Sequence, residues 1–370
     1  MTNIDKSQKL LLNLSMLVTK PTGITNYINN IIPYFSSLPY TSLLGEKYLN
    51  DNYQNPIFIS ENLSPDYGSK GHFLRLKWTQ FQLPNLYHNL RANLLFSPVP
   101  EMPLFSKCRG IVMVHDLIPI RFPKKKSPLT PYFRYYIPQV CQQAEHIICN
   151  SQATADDIIN YFHIRAQKIT PIYLGYNPEN FKVLDSLKPH DKIPYFLYLG
   201  RHDPHKNVSK IISAFAKFKY QKNYELWLAG PSDDRYTPFL QQQSIELGIE
   251  NQVKFLDYVS SEDLPRILNQ AQALVFPTLW EGFGFPVLES IACGTPVITS
   301  NISSLPEVVG EAGLLVNPHN INSISSAMNQ MAEDDQLRSQ LIELGLKRAK
   351  KFSWEKTGKD TVEVIKKYLN

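Results

Sequence analysis

The chain has little glycine, little cysteine and no long apolar run, and each shortage excludes a class of protein. Its 370 residues include 16 glycines and 4 cysteines. The cysteines lie far apart without a CxxC pair, which argues against a zinc site and a disulfide framework and favours a reducing cytoplasm. No window approaches the roughly 18 apolar residues that a membrane-spanning helix needs. The stretch KLLLNLSMLVTK near the N-terminus lacks a small-residue cleavage site, so it is predicted to be a first β-strand and not a signal peptide.

The length of the chain indicates how many domains it forms, and its net charge indicates what kind of ligand or surface it suits. At 370 residues and 42.5 kDa the chain exceeds the usual size of a single core, so we expect two domains. Hydrophobic residues make up 43% and charged residues 19%, which is typical of a globular protein. The net charge of +5 suits an anionic ligand or an acidic membrane surface, but it is also that of an ordinary, slightly basic protein. It gives little support to nucleic-acid binding, because no basic-aromatic surface recurs along the chain.

Short β-rich runs alternate with helical patterns through most of the chain. Such alternation predicts βαβ units, and hence parallel sheets covered by helices on both faces. The predicted strands are 10–15, 56–60, 93–97, 110–116, 146–151, 194–200, 224–230, 251–259, 273–278, 295–300 and 313–317. Helices are expected over 24–32, ending at Pro33, and over 207–220, whereas 61–92 carries no pattern that predicts an element.

A proline-rich, polar segment at 171–194 separates the two series of strands and is the predicted linker. It divides the chain into an N-terminal α/β domain at 1–172 and a C-terminal α/β domain at 173–353, followed by a helix at 354–370. Two such domains facing each other would leave a cleft between them. Because ligands of parallel sheets bind beyond the carboxyl ends of the strands, the residues that carry chemistry are expected there.

Glycines are concentrated in the stretch LWEGFGFPVLESIACGTPVITS, which begins at Leu279. Gly282 and Gly284 follow a predicted strand and precede a predicted helix, so backbone N–H groups at the helix N-terminus can approach a phosphate. Glu281 opens the turn, and Glu289 stands eight residues later in the helix. Two carboxylates around a phosphate cradle suit a sugar nucleotide, with Glu289 accepting hydrogen bonds from the ribose and Glu281 from the transferred sugar. For this motif alone, the alternative is a glycine turn beside a solvated acid.

A second junction between a strand and a helix carries two cations. The strand YFLYLG ends in RHDPHKN, which places Arg201 and Lys206 where they can clamp a diphosphate and offset charge on a leaving group. An exposed basic loop is the alternative. His202 and His205 have a spacing found in metal sites, but no third ligand lies nearby and no Asp-x-Asp ends a strand. We therefore expect neither a divalent metal nor another cofactor.

Taken together, these motifs resemble those of the retaining glycosyltransferases of family four. EGFGFPVLE, followed by ACGTPVITS and preceded by YLGRHDPHKN, matches the family's two carboxylates eight residues apart. The first half supplies PTGITNY at 21–27, LLFSP at 94–98, MVHDLIP at 113–119 and ICNSQAT at 148–154, in the family's order. The resemblance covers most of the chain and implies the GT-B fold, an α/β fold of two Rossmann-like domains facing a central cleft. It also implies that the helix at 354–370 packs back on the first domain.

The resemblance implies a role for each matching residue of the second domain. Glu281 would contact the donor sugar, Glu289 the ribose, and Arg201 and Lys206 the diphosphate. The other donor-binding residues would be the backbones of Gly282, Phe283 and Gly284 at the sugar hydroxyls, Pro286, Val287 and Leu288 near the phosphates, and Leu256 and Tyr258 at the base.

In the first domain, the resemblance assigns His115 to the reacting sugar and, together with Asp116, to the acceptor. His115 follows the strand GIVMV, where a catalytic imidazole belongs, although a structural histidine is as common there. Gly23 would lie near the phosphates or the acceptor, and relatives often have a second glycine where this chain has Thr22. The linker reads LGYNPENF where relatives often carry Val-Asp, a difference expected to affect only packing.

The implied reaction is transfer of a hexose from a nucleoside diphosphate sugar, with UDP-glucose as the first choice, and with retention at the anomeric carbon. Glu281, His115, Arg201 and Lys206 would be its catalytic residues, and no metal would take part. The acceptor would be a saccharide or a lipid-linked saccharide in polysaccharide or exopolysaccharide biosynthesis. Two other functions stay open: a sugar-nucleotide epimerase of the same fold, and a sugar-nucleotide-binding subunit without activity.

The segment RFPKKKSPLTPYFRYY at 121–136 has two interpretations, one of which is contact with a membrane. Its lysines at 124–126 and its aromatic residues Phe133, Tyr135 and Tyr136 could seat a lipid-diphosphate acceptor at an anionic surface. A solvated turn followed by a helix with a buried aromatic face accounts for the segment equally well. We therefore expect a cytoplasmic protein, with peripheral contact at the inner face of the plasma membrane as one option.

Overall fold

The computed structural model describes residues 9–20, 22–124, 127–184 and 193–369. The chain divides into two compact units. The first unit consists of Met1–Gly175 together with Trp354–Asn370, and the second unit is Tyr176–Ser353. The sequence placed this division between residues 172 and 173.

The first unit is built around a seven-stranded parallel sheet. Its strands are β1 (Leu10–Asn13), β2 (Tyr40–Leu44), β3 (Ile57–Phe58), β4 (Leu94–Ser97), β5 (Gly110–Val114), β6 (His146–Cys149) and β7 (Ile169–Pro171). Across the sheet they follow the order β3-β2-β1-β4-β5-β6-β7, which reverses between β1 and β4. Every residue of β1, β4, β5 and β6 is buried, which explains why these strands are unbroken apolar runs in the sequence.

The second unit contains a six-stranded parallel sheet. Its strands are β8 (Tyr195–Leu199), β9 (Glu225–Ala229), β10 (Val253–Leu256), β11 (Ala273–Phe276), β12 (Val297–Ser300) and β13 (Gly313–Val316). The order β10-β9-β8-β11-β12-β13 reverses between β8 and β11. This is the 3-2-1-4-5-6 order of the doubly wound fold, in which ligands bind at the point of reversal.

Helices connect the strands in both units. They are α1 (Gly23–Ile31), α2 (Gly68–Phe81), α3 (Leu83–Asn89), α4 (Ile118–Arg121), α5 (Leu129–Pro131), α6 (Ile137–Gln143), α7 (Gln152–Phe162), α8 (Val208–Ala216), α9 (Thr237–Glu246), α10 (Leu264–Gln270), α11 (Phe285–Ala292), α12 (Leu305–Val309), α13 (Ile321–Glu333), α14 (Asp335–Ala349) and α15 (Trp354–Leu369). A π-helical turn, Tyr132–Tyr136, joins α5 to α6. Among the described residues, no helix combines the length and apolar character that crossing a bilayer requires.

Most of the predicted elements are present, and their ends follow local chemistry. Helix α1 starts after Thr22, whose Oγ1 accepts a hydrogen bond from Thr25 N at 3.3 Å, and it ends at Ile31 in a 3-10 turn that contains Pro33. Helix α8 is the predicted helix over 207–220, shortened at its C-terminus.

No element was predicted over 61–92, yet two helices, α2 and α3, lie there. The buried residues of α2 are Gly71, Arg75, Trp78 and Thr79. Their spacing is helical, but two of the four are polar, so apolar periodicity could not reveal the helix. Strands β2 and β7 were also missed. Strand β7 ends in a proline at the edge of its sheet, where a missing N–H breaks no ladder.

The last described helix, α15, belongs to the first unit. Thr357 Oγ1 donates a hydrogen bond to Tyr173 O at 2.8 Å, and the Tyr368 hydroxyl lies 2.9 Å from His146 Nδ1. Gly358 faces the ring of Tyr34 so closely that a Cβ would lie 2.3 Å from Cδ2. The helix therefore completes the core of the first unit, although it follows the second unit along the chain.

Candidate functional site

The predicted donor residues of the second unit lie where its strand order reverses. Arg201 and Lys206 follow β8, and Glu281 follows β11, the neighbouring strand on the other side of the reversal. The two loops are joined directly, because Leu279 N donates a hydrogen bond to His205 O at 2.8 Å. Residues that are distant in sequence are therefore gathered at one carboxyl edge of this sheet.

Lys206 and Glu281 form an ion pair. Lys206 Nζ lies 2.8 Å from Oε1 and 2.9 Å from Oε2 of Glu281, across 75 residues of sequence. Their side chains are 17% and 10% exposed, so solvent screens the pair less than it would at an open surface. The sequence assigned these two groups to different parts of a ligand and did not predict their contact.

Arg201 lies apart from this pair on an open surface. Its side chain is 67% exposed, and its Nε lies 3.6 Å from Asp203 Oδ2. The backbone below it is fixed, because the Tyr198 hydroxyl donates a hydrogen bond to Arg201 O at 2.7 Å. Arg201 thus presents an exposed guanidinium from a hydrogen-bonded backbone and can bind an anion that arrives from solvent.

Two glycines allow β8 and β9 to end in close contact. Gly200 and Gly230 have φ of +149° and +148°, and a Cβ on Gly230 would lie 2.1 Å from Gly200 O. Only glycine adopts this backbone without strain. Both strands end in glycine in the sequence, as YLG and LAG, so this signal was available but unused.

The turn before α11 is held from two sides. Gly284 has φ of +111°, and a Cβ there would lie 2.7 Å from Leu305 Cδ2. Ser304 Oγ lies 3.0 Å from Glu281 O and 2.7 Å from Phe283 O, so this buried hydroxyl fixes the turn that carries the carboxylate. Sequence reasoning missed Ser304. Its only signal was its position in a short polar run after β12.

The first turn of α11 offers fewer N–H groups to a phosphate than the sequence suggested. Pro286 has no N–H, and the N–H groups of Val287 and Leu288 both donate to Gly284 O, at 3.1 and 3.3 Å. The side chains of Val287 and Leu288 are fully buried in the core. Any contact of these residues with a phosphate would therefore use the backbone dipole of the turn.

Glu289 is an acid of the second unit whose pKa is strongly raised. Burial raises its pKa to about 8, so this carboxyl group is mostly protonated at neutral pH. Cys293, four residues later on the same helix, has its pKa raised to about 12 by burial, with a further contribution from Glu289. An acid of this kind marks a functional-site candidate, because a bound ligand can change its protonation.

The residues expected at the base lie at the end of β10. Leu256 is the last residue of that strand and is partly buried, whereas Tyr258 is 77% exposed. Strand β10 is at the edge of the sheet, next to β9. These positions leave the Tyr258 ring free to stack on a planar group.

The two histidines near Arg201 do not point to a metal site. His202 Nδ1 lies 2.7 Å from Thr237 Oγ1, and burial lowers the pKa of His202. Within the described ranges, no cluster of three or more His, Cys, Asp or Glu side chains could hold a metal ion.

In the first unit, His115 follows β5 and is held in one tautomer. Its Nε2 lies 2.9 Å from Pro98 O, and since a carbonyl can only accept, Nε2 carries the proton and Nδ1 is left as an acceptor. Burial lowers the pKa of His115 to about 4, so the ring is neutral at physiological pH. The ring of Tyr27 packs against it edge-on at 5.2 Å.

Two more predicted residues of the first unit lie at the starts of helices. Gly23 is the first residue of α1, and no heavy atom of the described residues lies within 4 Å of the position that a Cβ would take. Asp116 Oδ1 accepts a hydrogen bond from Ile118 N at 3.0 Å, at the start of α4.

The segment 121–136 has a buried aromatic face and exposed basic and aromatic residues. Phe133 and Tyr136 pack against the core, as a buried aromatic face requires. Tyr135 is 64% exposed, and Arg134 and Lys124 are also exposed. The lysines at 125 and 126 lie outside the described residues.

Comparison with known proteins identifies the family. The family model described as "Glycosyltransferase Family 4" matches residues 42–180, and the model described as "Glycosyl transferases group 1" matches residues 181–348. The O-antigen chain mannosyltransferase B of Escherichia coli is 32% identical over 275 residues, which are 70% of this chain and 70% of that protein. The chain belongs to the group 1 glycosyltransferases.

Other similar proteins of this group differ in coverage. The O-antigen chain mannosyltransferase RfbU of Salmonella typhimurium is 32% identical over 222 residues, which are 60% of each chain. Among solved structures, HepE of Anabaena in complex with UDP and glucose matches with a TM-score of 0.74 over 97% of this chain and 99% of that one. At 19% identity, this likeness shows the GT-B fold alone. The predicted fold and family of this group 1 glycosyltransferase are thus confirmed.

Proposed function

We propose that this glycosyltransferase moves a hexose from a nucleoside diphosphate sugar to a hydroxyl of a saccharide or lipid-linked saccharide during polysaccharide assembly. The observation that carries the proposal is the pairing of Lys206 with Glu281 where the strand order of the second unit reverses. A cation and a carboxylate at this position suit the two chemically different parts of such a donor, its diphosphate and its sugar hydroxyls.

The cations would bind the diphosphate. Arg201 is exposed enough to meet an incoming anion, and Lys206 can share its ammonium group between Glu281 and a phosphate oxygen, since it has three N–H donors. As the bond to the sugar breaks, negative charge develops on the departing diphosphate, and two cations would stabilise it. We therefore propose a reaction that needs no divalent metal.

The carboxylates would bind hydroxyl groups. Glu281 would accept hydrogen bonds from the transferred sugar, and the backbones of Gly282, Phe283 and Gly284 would contact its other hydroxyls. Glu289 would accept from the ribose. The turn that presents these groups is fixed by Ser304, which supports a preorganised site.

The reaction would proceed with retention at the anomeric carbon. The bond between this carbon and the diphosphate oxygen breaks, and a bond to the acceptor oxygen forms on the same face. The acceptor proton passes to an oxygen of the departing diphosphate. Glu281 would position the sugar and not attack it. His115, neutral and with Nδ1 available as an acceptor, would bind a hydroxyl together with Asp116.

Mannose is the hexose that the relatives favour. The sequence suggested glucose from UDP-glucose, and a structure with UDP and glucose shares the fold at 19% identity. The relatives at 32% identity are named mannosyltransferases of O-antigen chains. Because closer relatives share substrates more often than fold neighbours do, we propose mannose, carried by GDP-mannose, as the first donor to test.

The names of the same relatives support a proposal for the acceptor and the location. We propose a cytoplasmic enzyme that meets a lipid-linked saccharide acceptor at the membrane surface. The exposed Lys124, Arg134 and Tyr135 would contact that surface, combining charge with an amphipathic ring.

Nucleotide release tests the proposal. GDP-mannose, UDP-glucose, UDP-galactose and UDP-N-acetylglucosamine are each incubated with enzyme and EDTA, with and without mannose oligosaccharides, and free nucleotide is measured. We expect release from one donor, at least 100-fold slower in Glu281→Ala. Glu262→Ala, which removes an exposed carboxylate of the same unit, is the matched control and should be unaffected.

Product analysis completes the test. Nuclear magnetic resonance of the product should show the anomeric configuration of the donor. Inversion would contradict the proposed geometry, and an epimerised nucleotide sugar would identify the epimerase alternative. Donor binding without release under any condition would favour a binding subunit, and full activity in Glu281→Ala would remove this residue from the site.

A further inference from the structure

A groove outside the donor site runs along the edge of the first unit's sheet. Two adjoining cavities of about 440 and 320 Å³ share Ser60, Trp78 and Gln82 in their walls. Their volumes lie within the range of about 300–1,000 Å³ in which ligands bind. Edge strand β3 and the two residues after it form one side, and helices α2 and α3 form the other.

Hydrogen-bonding groups without protein partners line this edge groove. In the described part of the chain, no residue bonds to the side-chain amides of Gln82 and Asn89, and Asn85 uses only Nδ2, in a 3.4 Å contact with Phe81 O. These three amides follow a helical spacing of three and four residues, so they form one row.

Trp78 presents a hydrogen-bond donor to this edge groove. Its side chain is only 6% exposed, yet no described residue bonds to its indole N–H. Its nitrogen is not among the sealed polar atoms of the protein, and the ring lines both cavities. Because this nitrogen reaches solvent and has no described protein partner, its N–H can donate to a ligand that enters the groove.

The groove is almost without charge. Among the residues that the structure describes, no ionisable side chain lines the larger cavity, and Lys77 is the one that lines the smaller. In a chain with 19% charged residues, this composition disfavours phosphate, nucleotide or acidic peptide as the ligand. A neutral ligand rich in hydroxyl groups suits it, because amides both donate and accept, and Ile57, Ile59 and Leu86 can cover an apolar ring face.

The position of the groove relates it to the acceptor side. It begins at Ser60 and Asn62, which follow the carboxyl end of β3, and it ends at Asn89. His115 follows β5 at the carboxyl edge of the same parallel sheet. From Gln82 to Asn89 alone the helix rises by about 10 Å, enough for more than one sugar ring.

We propose that this groove binds a neutral oligosaccharide, the already formed part of the acceptor chain. The identity of the polymer rests on the function proposed above, whereas the class of ligand rests on the groove. Binding here would keep the growing chain on the enzyme between transfers and raise its effective concentration.

Fluorine resonances of tryptophan test the proposal directly. The chain has four tryptophans, so protein labelled with 5-fluorotryptophan gives four signals, and Trp78→Phe identifies that of Trp78. We expect α-linked mannotetraose, added without any donor, to shift the Trp78 signal saturably. The signals of Trp227 and Trp280, in the second unit, should stay in place.

Variants distinguish the groove from unspecific binding. Asn85→Ala with Asn89→Ala removes two exposed amides from a helix that tolerates alanine, and it should weaken mannotetraose binding about tenfold. Gln242→Ala removes an exposed amide from α9 and should change nothing. In the transfer assay, the double variant should make shorter polymers while its rate on a short acceptor is kept.

Three results would overturn the proposal. The first is a Trp78 fluorine signal that shifts with neither mannotetraose nor maltotetraose. The second is a shift of this signal that is unchanged in the double variant. The third is a shift that depends on protein concentration alone. The last would assign the groove to a second copy of the chain at the open edge of β3. Transfer activity together with a Trp78 signal that does not shift would contradict only the proposal for the groove. Sugar binding without transfer would support binding in the groove and contradict the proposed function.

Discussion

The raised pKa of Glu289 predicts that donor binding releases a proton. In the free protein burial raises this pKa to about 8, so at pH 7 the carboxyl group holds about 0.9 of a proton. If the ribose hydroxyls donate to it, as we propose, the ionised form is favoured and its pKa falls toward about 4.3. At pH 7 the complex then holds almost none of this proton, so about 0.9 of a proton leaves for each donor bound.

The same shift fixes the pH dependence of affinity. Below pH 8 binding must first remove the proton, so the affinity of the wild type should fall about 50-fold from pH 8 to pH 6. Above pH 8 it should level off. Glu289→Gln keeps the shape of the side chain but cannot titrate, so its affinity should be flat over this range and weaker than that of the wild type at pH 8.

Calorimetry in buffers of different ionisation enthalpy measures the released proton. GDP-mannose and UDP-glucose are suitable ligands, since a diphosphate esterified at both ends does not titrate near pH 7. Subtracting the Glu289→Gln values removes contributions of other groups, such as His202, whose pKa burial lowers. A release near zero in the wild type, or an equal release in Glu289→Gln, would refute the contact between Glu289 and the ribose.

Three further predictions concern the framework of the site. Gly230→Ala should lower the free energy of unfolding by about 2 kcal/mol or more, because its Cβ would lie 2.1 Å from Gly200 O. Urea unfolding measures this loss. The control is Gly248→Ala, at φ of +66° in open space, which should lower the free energy of unfolding by only about 1 kcal/mol. Gly23→Val should change the free energy of unfolding by less than about 1 kcal/mol, since no described atom crowds that Cβ. It should nevertheless reduce the rate of sugar transfer at least tenfold. An unchanged transfer rate would contradict the role of Gly23. Lys206→Met leaves the Glu281 carboxylate, only 10% exposed, without its cation and should cost about 2 kcal/mol. The double variant with Glu281→Gln should recover at least half of this loss. A loss in the double variant equal to the sum of the two single losses would show that the pair does not couple.

The sequence predicted the strands well because buried parallel strands are short, continuous apolar runs. It failed at α2 for an opposite reason. There, Arg75 occupies the buried face and is neutralised by Glu101, whose Oε2 lies 2.8 Å from Arg75 Nε. Tyr132 donates a third bond to that carboxylate, at 2.9 Å. A helix buried through a polar network has no apolar period, so pattern analysis cannot find it.

The candidate site was predicted residue by residue, but not its contacts. Lys206 and Glu281 were each assigned from a local motif, whereas their ion pair depends on β8 and β11 being neighbours, a consequence of strand order. The reduced number of free N–H groups at α11 depends on Gly284 O accepting from two residues. The groove beside β3 could not be foreseen, because it requires helices that the sequence did not reveal.

The path of the chain through the two units has a consequence for synthesis on the ribosome. Residues 176–353 form one uninterrupted unit, whereas the unit that starts earlier lacks α15 until after they are made. The later unit is therefore the first that can finish folding, and the earlier one must wait with the surfaces around Tyr34 and His146 uncovered. A nonsense codon within α15 would consequently damage the half of the protein encoded first and leave the second unit whole.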